Sequence, residues 1–439
     1  MAQLKNLPIG IQNFESLRKN NFLYIDKTEL IYNLIKGGRY YFLSRPRRFG
    51  KSLLMSTIHT IFDGKRELFD GLAIADKEDM NWAKHPVLHL DLNTEKYDNK
   101  EKLEKKINLF LTQMESVYGA NPNEQTYSTR FEGIIQRAYD KTGQGVVILV
   151  DEYDKPMLQA IGNEELQNEF RGTLKGFYGA LKSMDGCIQF ALLTGVTKFG
   201  KVSVFSDLNN LKDISMDHRY TTICGITEEE LKGTMLPYVK RMAEANNMTT
   251  DECFEKLKKQ YDGYHFCEDS VGMYNPFSLL NAFDENRFKS YWFETGTPTY
   301  LVELLQRDEY NLNDMEHAKV DADTLNSIDS TSQDPIPVIY QSGYLTIKDY
   351  DPEFGEYTLG FPNEEVEIGF TKFLLPWYIS KERSRSAFDL KNFVLDIRSG
   401  NAEQFVKRLK SLFADTPYML IKDLENHYQN VIWLISKLA

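Results

Sequence analysis

The sequence predicts an α/β chain built on a mostly parallel five-stranded sheet, and three observations carry that prediction. Short apolar runs recur between about Tyr40 and Gly225. Longer stretches with helical apolar spacing separate them. A basic turn ending in Gly50-Lys51-Ser52 joins the first run to the first of those stretches.

Taken in order, the strands are expected at Arg39–Ser44, Pro86–Leu92, Gly145–Asp151, Cys187–Thr194 and Tyr220–Cys224. Val146–Val150 is apolar throughout, as a strand covered on both faces is, and the series fits a mostly parallel sheet covered by helices. The covering helices are expected at Lys51–Phe62, Lys100–Tyr118, Tyr127–Lys141 and Glu164–Met184. Strand and helix alternate because parallel neighbours need a crossover. At Thr227-Glu228-Glu229-Glu230 the pattern changes, with Thr as a helix cap and the third Glu reaching back to it. Residues 1–226 are therefore read as the core and 227–310 as a helical lid. Asn311–Pro337 is acidic and polar, and is read as a loop or boundary with one short helix. Val338–Ile347 and Tyr357–Phe361 flank Lys348–Glu356 as a β-hairpin with a long turn, giving a small winged-helix-like α+β region over 311–380. The remainder, 381–439, reads as a helical tail ending in the apolar stretch His427–Ala439. A tail of that kind needs a surface to bury it. It is read as the opening of a further, truncated domain, with a helix docked on the preceding domain as the plainer alternative.

Composition narrows the function. With 64 acidic and 52 basic residues the net charge is −12, which excludes a uniformly basic surface for coating nucleic acid and leaves a local groove open. Cys187, Cys224, Cys253 and Cys267 are too far apart for a metal knuckle or a redox pair, and the seven histidines form no zinc motif. No stretch approaches the roughly 20 apolar residues of a membrane span, and the start lacks a secretion signal. A cytoplasmic address with no membrane partner is the expectation.

The basic turn is the most informative segment. A phosphate-binding loop reads Gly-x-x-x-x-Gly-Lys-Ser/Thr between a strand and a helix. Here Arg45-Pro46-Arg47-Arg48-Phe49-Gly50-Lys51-Ser52 fills that frame, with Arg45 where the first Gly belongs, and Leu53 continues into the helix. Backbone N–H groups at a helix start favour a phosphate, Lys51 is placed to reach the β- and γ-phosphates, and the Ser52 hydroxyl to hold magnesium. Arg45, Arg47 and Arg48 either add phosphate contacts or pair with acids elsewhere. About 100 residues on, Val146–Val150 runs into Asp151-Glu152. Asp151 fits a metal holder and Glu152 the base that polarises an attacking water. A further strand leads into Thr194-Gly195-Val196-Thr197-Lys198. Thr194 or Lys198 can sense the γ-phosphate there, or the strand simply turns at Gly195.

At these residues the chain resembles the AAA-ATPase-like family of bacterial proteins, many of which carry a C-terminal nuclease domain of the PD-(D/E)xK type. The resemblance runs through Pro8–Phe14, Tyr24–Thr28, Arg45–Ser52, Asp151–Pro156, Leu193–Lys198, Tyr261–Tyr264 and Tyr274–Ser278. An arginine in place of the first loop glycine is usual in that family. The resemblance implies ATP and Mg2+ as ligands, on a P-loop NTPase core of the additional-strand type. His427–Ile432 resembles the opening helix of the nuclease domain, whose acidic and lysine residues would lie beyond Ala439, so no nuclease chemistry is expected of this chain. Ile9–Leu34 is expected near the adenine, with Tyr24 and Asp26 as candidate contacts and Tyr24 equally a core aromatic. Tyr261-Asp262-Gly263-Tyr264 reads as a turn needing positive φ at the glycine, or as a lid element. An ion pair of Asp154 with Lys155 could orient Glu152. Arg171 and Arg219 are candidates for completing a neighbouring subunit's site.

The leading expectation is an ATPase whose nucleotide state moves the lid and winged-helix-like regions, as a switch or motor coupled to a nuclease-like domain. A nucleic-acid or protein-interaction scaffold with little turnover is the alternative. Asp349, Asp351, Glu353 and Glu356 give the hairpin the wrong charge for lying on phosphate, which favours a protein partner.

Overall fold

A computed structural model describes residues 4–198, 210–293, 301–302, 304–305, 310–326, 328, 334–379, 383–414 and 424–438. Two short N-terminal helices, α1 (Phe14–Lys19) and α2 (Thr28–Gly37), precede β1 (Tyr40–Ser44) and α3 (Lys51–Phe62). There follow β2 (Val87–Asp91), α4 (Lys100–Tyr118), α5 (Tyr127–Thr142), β3 (Val146–Asp151), α6 (Lys155–Gln159), α7 (Glu164–Tyr178), α8 (Ala180–Ser183), β4 (Ile188–Gly195) and β5 (Lys212–Asp213). All pairings are parallel and the order is β2-β3-β4-β1-β5. The expected α/β class and five-stranded sheet are therefore present, with β4 inserted between β1 and β3.

Period-two alternation explains why the central strands carry no polar face. Tyr41, Leu43, Val147, Leu149, Phe190 and Leu192 pack with Leu54, Met55, Ile58 and Ile61 of α3 on one side. Tyr40, Phe42, Val146, Ile148, Val150 and Leu193 pack with α4, α5 and α7 on the other.

Several boundaries differ from expectation. Tyr220–Cys224 is not a strand: it follows a 3-10 turn at His218–Tyr220, and the edge strand is the two-residue β5, beside Tyr41 and Phe42. Tyr220, Ile223 and Cys224 are buried all the same, and the Tyr220 carbonyl accepts from Ile223 N at 3.2 Å and from the Arg45 guanidinium at 3.1 Å, with no ladder. Glu164–Met184 breaks at Gly179 into α7 and α8.

Beyond the core, Thr227 and Glu230 form the expected capping box of α9 (Glu228–Lys232). α10 (Leu236–Ala245), α11 (Thr250–Tyr261) and α12 (Pro276–Glu285) follow, with β6 (Ile226–Thr227) and β7 (Met273–Tyr274) as a small antiparallel pair. The expected hairpin is present as β9 (Thr346–Asp351) and β10 (Glu356–Gly360). Its first arm is shorter than predicted, since Ile336–Gln341 is a helix started by Pro337 and ended before Gly343. The polar stretch before it contributes a third strand, β8 (Lys319–Asp321), along β10.

The helix Leu424–Ser436 packs along the helix Glu364–Ile379. Val431, Leu434 and Ile435 are buried, and the Asn430 side chain accepts from Leu312 N and donates to the Tyr310 carbonyl. This apolar helix thus has a partner surface within the described residues. Among the described residues no helix is long and apolar enough to cross a membrane.

Candidate functional site

The β1-to-α3 connection has the shape of a phosphate loop without its first glycine. Gly50 sits at φ +95°, where a Cβ would strain the backbone, and α3 begins at the next residue. The amides of Lys51, Ser52 and Leu53 are the first of that helix and have no carbonyl one turn earlier within it. Lys51 is buried, and its amine donates to the carbonyls of Arg45 (2.9 Å) and Pro46 (3.3 Å) and pairs with Glu152 at 3.5 Å. That ion pair brings the start of α3 to the end of β3.

Arg45 faces the opposite way. Its guanidinium donates to the carbonyls of Ser44, Ser215, Tyr220 and Thr221, lies 4.0 Å from the Phe266 ring, and is 1% exposed. Burial pushes its pKa down. Neither expected role, phosphate contact or pairing with an acid, matches this geometry: Arg45 clamps its own loop to the segment after β5. Phe49 is buried against Tyr264 and Phe266, so it too points into the core. Arg47 and Arg48 stay at the cleft.

At the end of β3, Asp151 accepts from Thr194 Oγ1 at 2.6 Å and from Glu152 N at 3.1 Å, both on Oδ1. Oδ2 accepts nothing from the described residues. Thr194 is fully buried, and its hydroxyl is the group that donates to Asp151. The Lys198 amine pairs with Asp213 at 3.0 Å and donates to Asn326. Glu152 holds φ +54°, an uncommon conformation for this residue type. Asp154 and Lys155 do not pair. Asp154 is buried and accepts from Val196 N, Thr197 N and Thr197 Oγ1; burial, reinforced by the charge of Glu152, raises its pKa to about 6. Lys155 donates to the Asn93 carbonyl and side chain, and burial lowers its pKa.

A cleft of about 880 Å³ opens over the loop. Among the described residues, Arg47, Arg48, Lys51, Lys96 and Lys155 line it against two carboxylates, Asp98 and Glu152, in a protein of net charge −12. Ser52 and Leu53 line it as well. An apolar pocket of about 100 Å³ adjoins it, sharing Gly50 and Leu53 and walled by Tyr24, Ile25, Ile223 and Pro276. Tyr24 lines this pocket with a phenol that burial holds well above its usual pKa. Asp26 caps Thr28 and accepts from Ala73 N. Gly263 takes the φ of +96° that the turn reading requires. Arg219 is committed to Asp217 and Arg171 contacts Asn168.

Asn93, Lys96, Trp292 and Tyr344 line the cleft and were not singled out from sequence. For Asn93 a signal existed, since it follows the strand expected at Pro86–Leu92. For Trp292 and Tyr344 there was none, because both arrive from more than 200 residues downstream.

A glycine-started helix after β1, an acidic pair after β3 and a strand between those two define the class: a P-loop NTPase core. A family model described as predicted AAA-ATPase matches residues 8–205. A relative described as an uncharacterized protein in the vnfD 5′ region, from Azotobacter chroococcum mcd 1, is 38% identical over 384 residues, covering 87% of this chain and 72% of the relative. The chain belongs to the AAA-ATPase-like family.

Proposed function

We propose that the protein binds ATP with Mg2+ in this cleft and hydrolyses it. The observation that carries this reading is the Lys51–Glu152 pair at 3.5 Å, which sets a helix-start phosphate cradle against a strand-end acidic pair. Lys51 and the first amides of α3 hold the β- and γ-phosphates, and Arg47, Arg48 and Lys155 offset the remaining charge. The adenine occupies the apolar pocket beside Tyr24 and Leu53. Glu152 polarises the attacking water, and Asp154 fixes the turn after β4 against β3.

The donor set suits magnesium, a hard cation that takes one or two carboxylates and keeps phosphate and water ligands. Ser52 supplies a hydroxyl and Asp151 a carboxylate whose Oδ2 is available. When bound, the ion neutralises charge developing on the phosphates. The output of turnover, on this reading, is a changed arrangement of the lid and winged-helix-like regions, passed to a C-terminal nuclease-like domain.

Labelled ATP with magnesium tests the proposal. Lys51→Ala is expected to weaken binding at least tenfold, and Glu152→Gln to bind near wild-type level while losing turnover ~100-fold or more. No ATP bound by the wild-type chain at millimolar concentration sinks the reading. The alternative, a scaffold with little turnover, gains from the hairpin tip, where Phe354 is 69% exposed among Asp351, Glu353 and Glu356. That surface fits a protein partner better than nucleic acid; wild-type binding without turnover, or salt-dependent retention on duplex DNA, would separate these outcomes.

A further inference from the structure

The phosphate loop is held from behind by the C-terminal half of the chain. Five consecutive residues each touch a residue beyond position 260. Arg45 stacks on Phe266, and Arg48 lies 4.5 Å from the Phe277 ring. The Arg47 carbonyl accepts from Trp292 Nε1 at 3.3 Å. Phe49 packs edge-on against Tyr264 at 4.7 Å. Pro46 lies against Gly343, where a Cβ would stand 2.5 Å from the Pro46 Cβ. Gly343 also holds φ +89°, so both its backbone and its neighbour exclude a side chain.

These contacts surround a loop that cannot keep its shape unaided. Arg48 sits at φ +68°, and a non-glycine residue persists there only where its surroundings over-determine it. The donor to Arg47 is itself fixed. The Trp292 backbone N–H donates at 2.9 Å to Glu365, a carboxylate 1% exposed on the helix Glu364–Ile379, and its ring lies 5.0 Å from Tyr344. Trp292 and Tyr344 in turn line the cleft that Lys51 and Glu152 face.

We propose that Trp292 and Gly343 are positioning residues of the nucleotide site, holding the loop in its phosphate-accepting shape. Through them, triphosphate binding and the placement of residues 336–379 act on each other. The inference rests on the reading of the cleft as an ATP site. Coupling of this kind is reciprocal: whatever loosens Trp292 from Arg47 weakens ATP, and ATP tightens Trp292.

The test uses the full chain, with labelled ATP binding and tryptophan emission measured on the same samples. Trp82, Trp377 and Trp433 remain in Trp292→Phe, so the contribution of Trp292 is read as a difference. Wild type is expected to change emission on adding ATP. Trp292→Phe keeps an aromatic ring, loses the donor, abolishes most of that change and weakens ATP about fivefold, the worth of one hydrogen bond. Gly343→Ala, driving a methyl onto Pro46, is expected to weaken ATP more than tenfold. Should Gly343→Ala melt too low to assay, Trp292→Phe decides alone. Wild type that binds ATP with no emission change from Trp292, and with Trp292→Phe binding equally tightly, overturns this proposal and leaves the ATP reading standing. Wild type that binds no ATP overturns both.

Discussion

Arg45 shows how one residue can leave a motif and still serve it. A glycine at that position would let phosphate approach the backbone, whereas the arginine stitches Ser44, Ser215, Tyr220 and Thr221 together from inside. Arg45→Gly restores the general pattern, yet it should destabilise the protein by ~3 kcal/mol or more, since four buried carbonyls lose a charged donor. Urea unfolding measures this, and a midpoint equal to wild type would contradict it. Asp154 carries a pH signature of its own. A carboxyl whose folded pKa is raised binds its proton more tightly folded than unfolded. Its stabilising share is therefore full below the ordinary aspartate range near pH 4 and lost as pH rises to about 6. Stability of wild type relative to Asp154→Asn should fall across that window, by at most ~3 kcal/mol, and stay level above it. A flat difference from pH 4 to 7 would show that Asp154 is not raised.

The elements were legible where burial on both faces left a plain record. β1, β3 and β4 are apolar runs because helices cover both sides, and α3 and α4 begin and end at the expected residues. The capping box at Thr227 was readable for the same local reason. Tyr220–Cys224 failed because burial does not report hydrogen bonding, and its backbone bonds run to local turn groups and to a side chain 175 residues earlier in the chain. The site divides likewise. Lys51, Ser52, Asp151 and Glu152 follow from strand-end and helix-start positions. Thr194 donates to Asp151 and Lys198 pairs with Asp213, partners that no spacing in the sequence marks. Trp292 and Gly343 left no local trace.

Across the molecule these contacts make one continuous path. The helix Leu424–Ser436 packs on Glu364–Ile379, Glu365 of that helix holds Trp292, and Trp292 holds the loop at Arg47. Nucleotide bound at the loop should therefore stabilise the C-terminal helices as well as the sheet. At a hundredfold excess over its dissociation constant, ATP adds about 2.7 kcal/mol to the state that binds it. For a cooperative unit of this size that is a shift of a few degrees, carried by the unfolding transition in which the C-terminal helices melt. Calorimetry with and without ATP reads it directly. Asn430→Ala provides the reverse probe: far from the cleft, it strips hydrogen bonds from Leu312 and Tyr310 and should lower that same transition by ~1–3 kcal/mol. Two separate transitions, with ATP moving one and Asn430→Ala the other, would mean that sheet and C-terminal helices unfold independently, and that the path through Trp292 carries no stability between them.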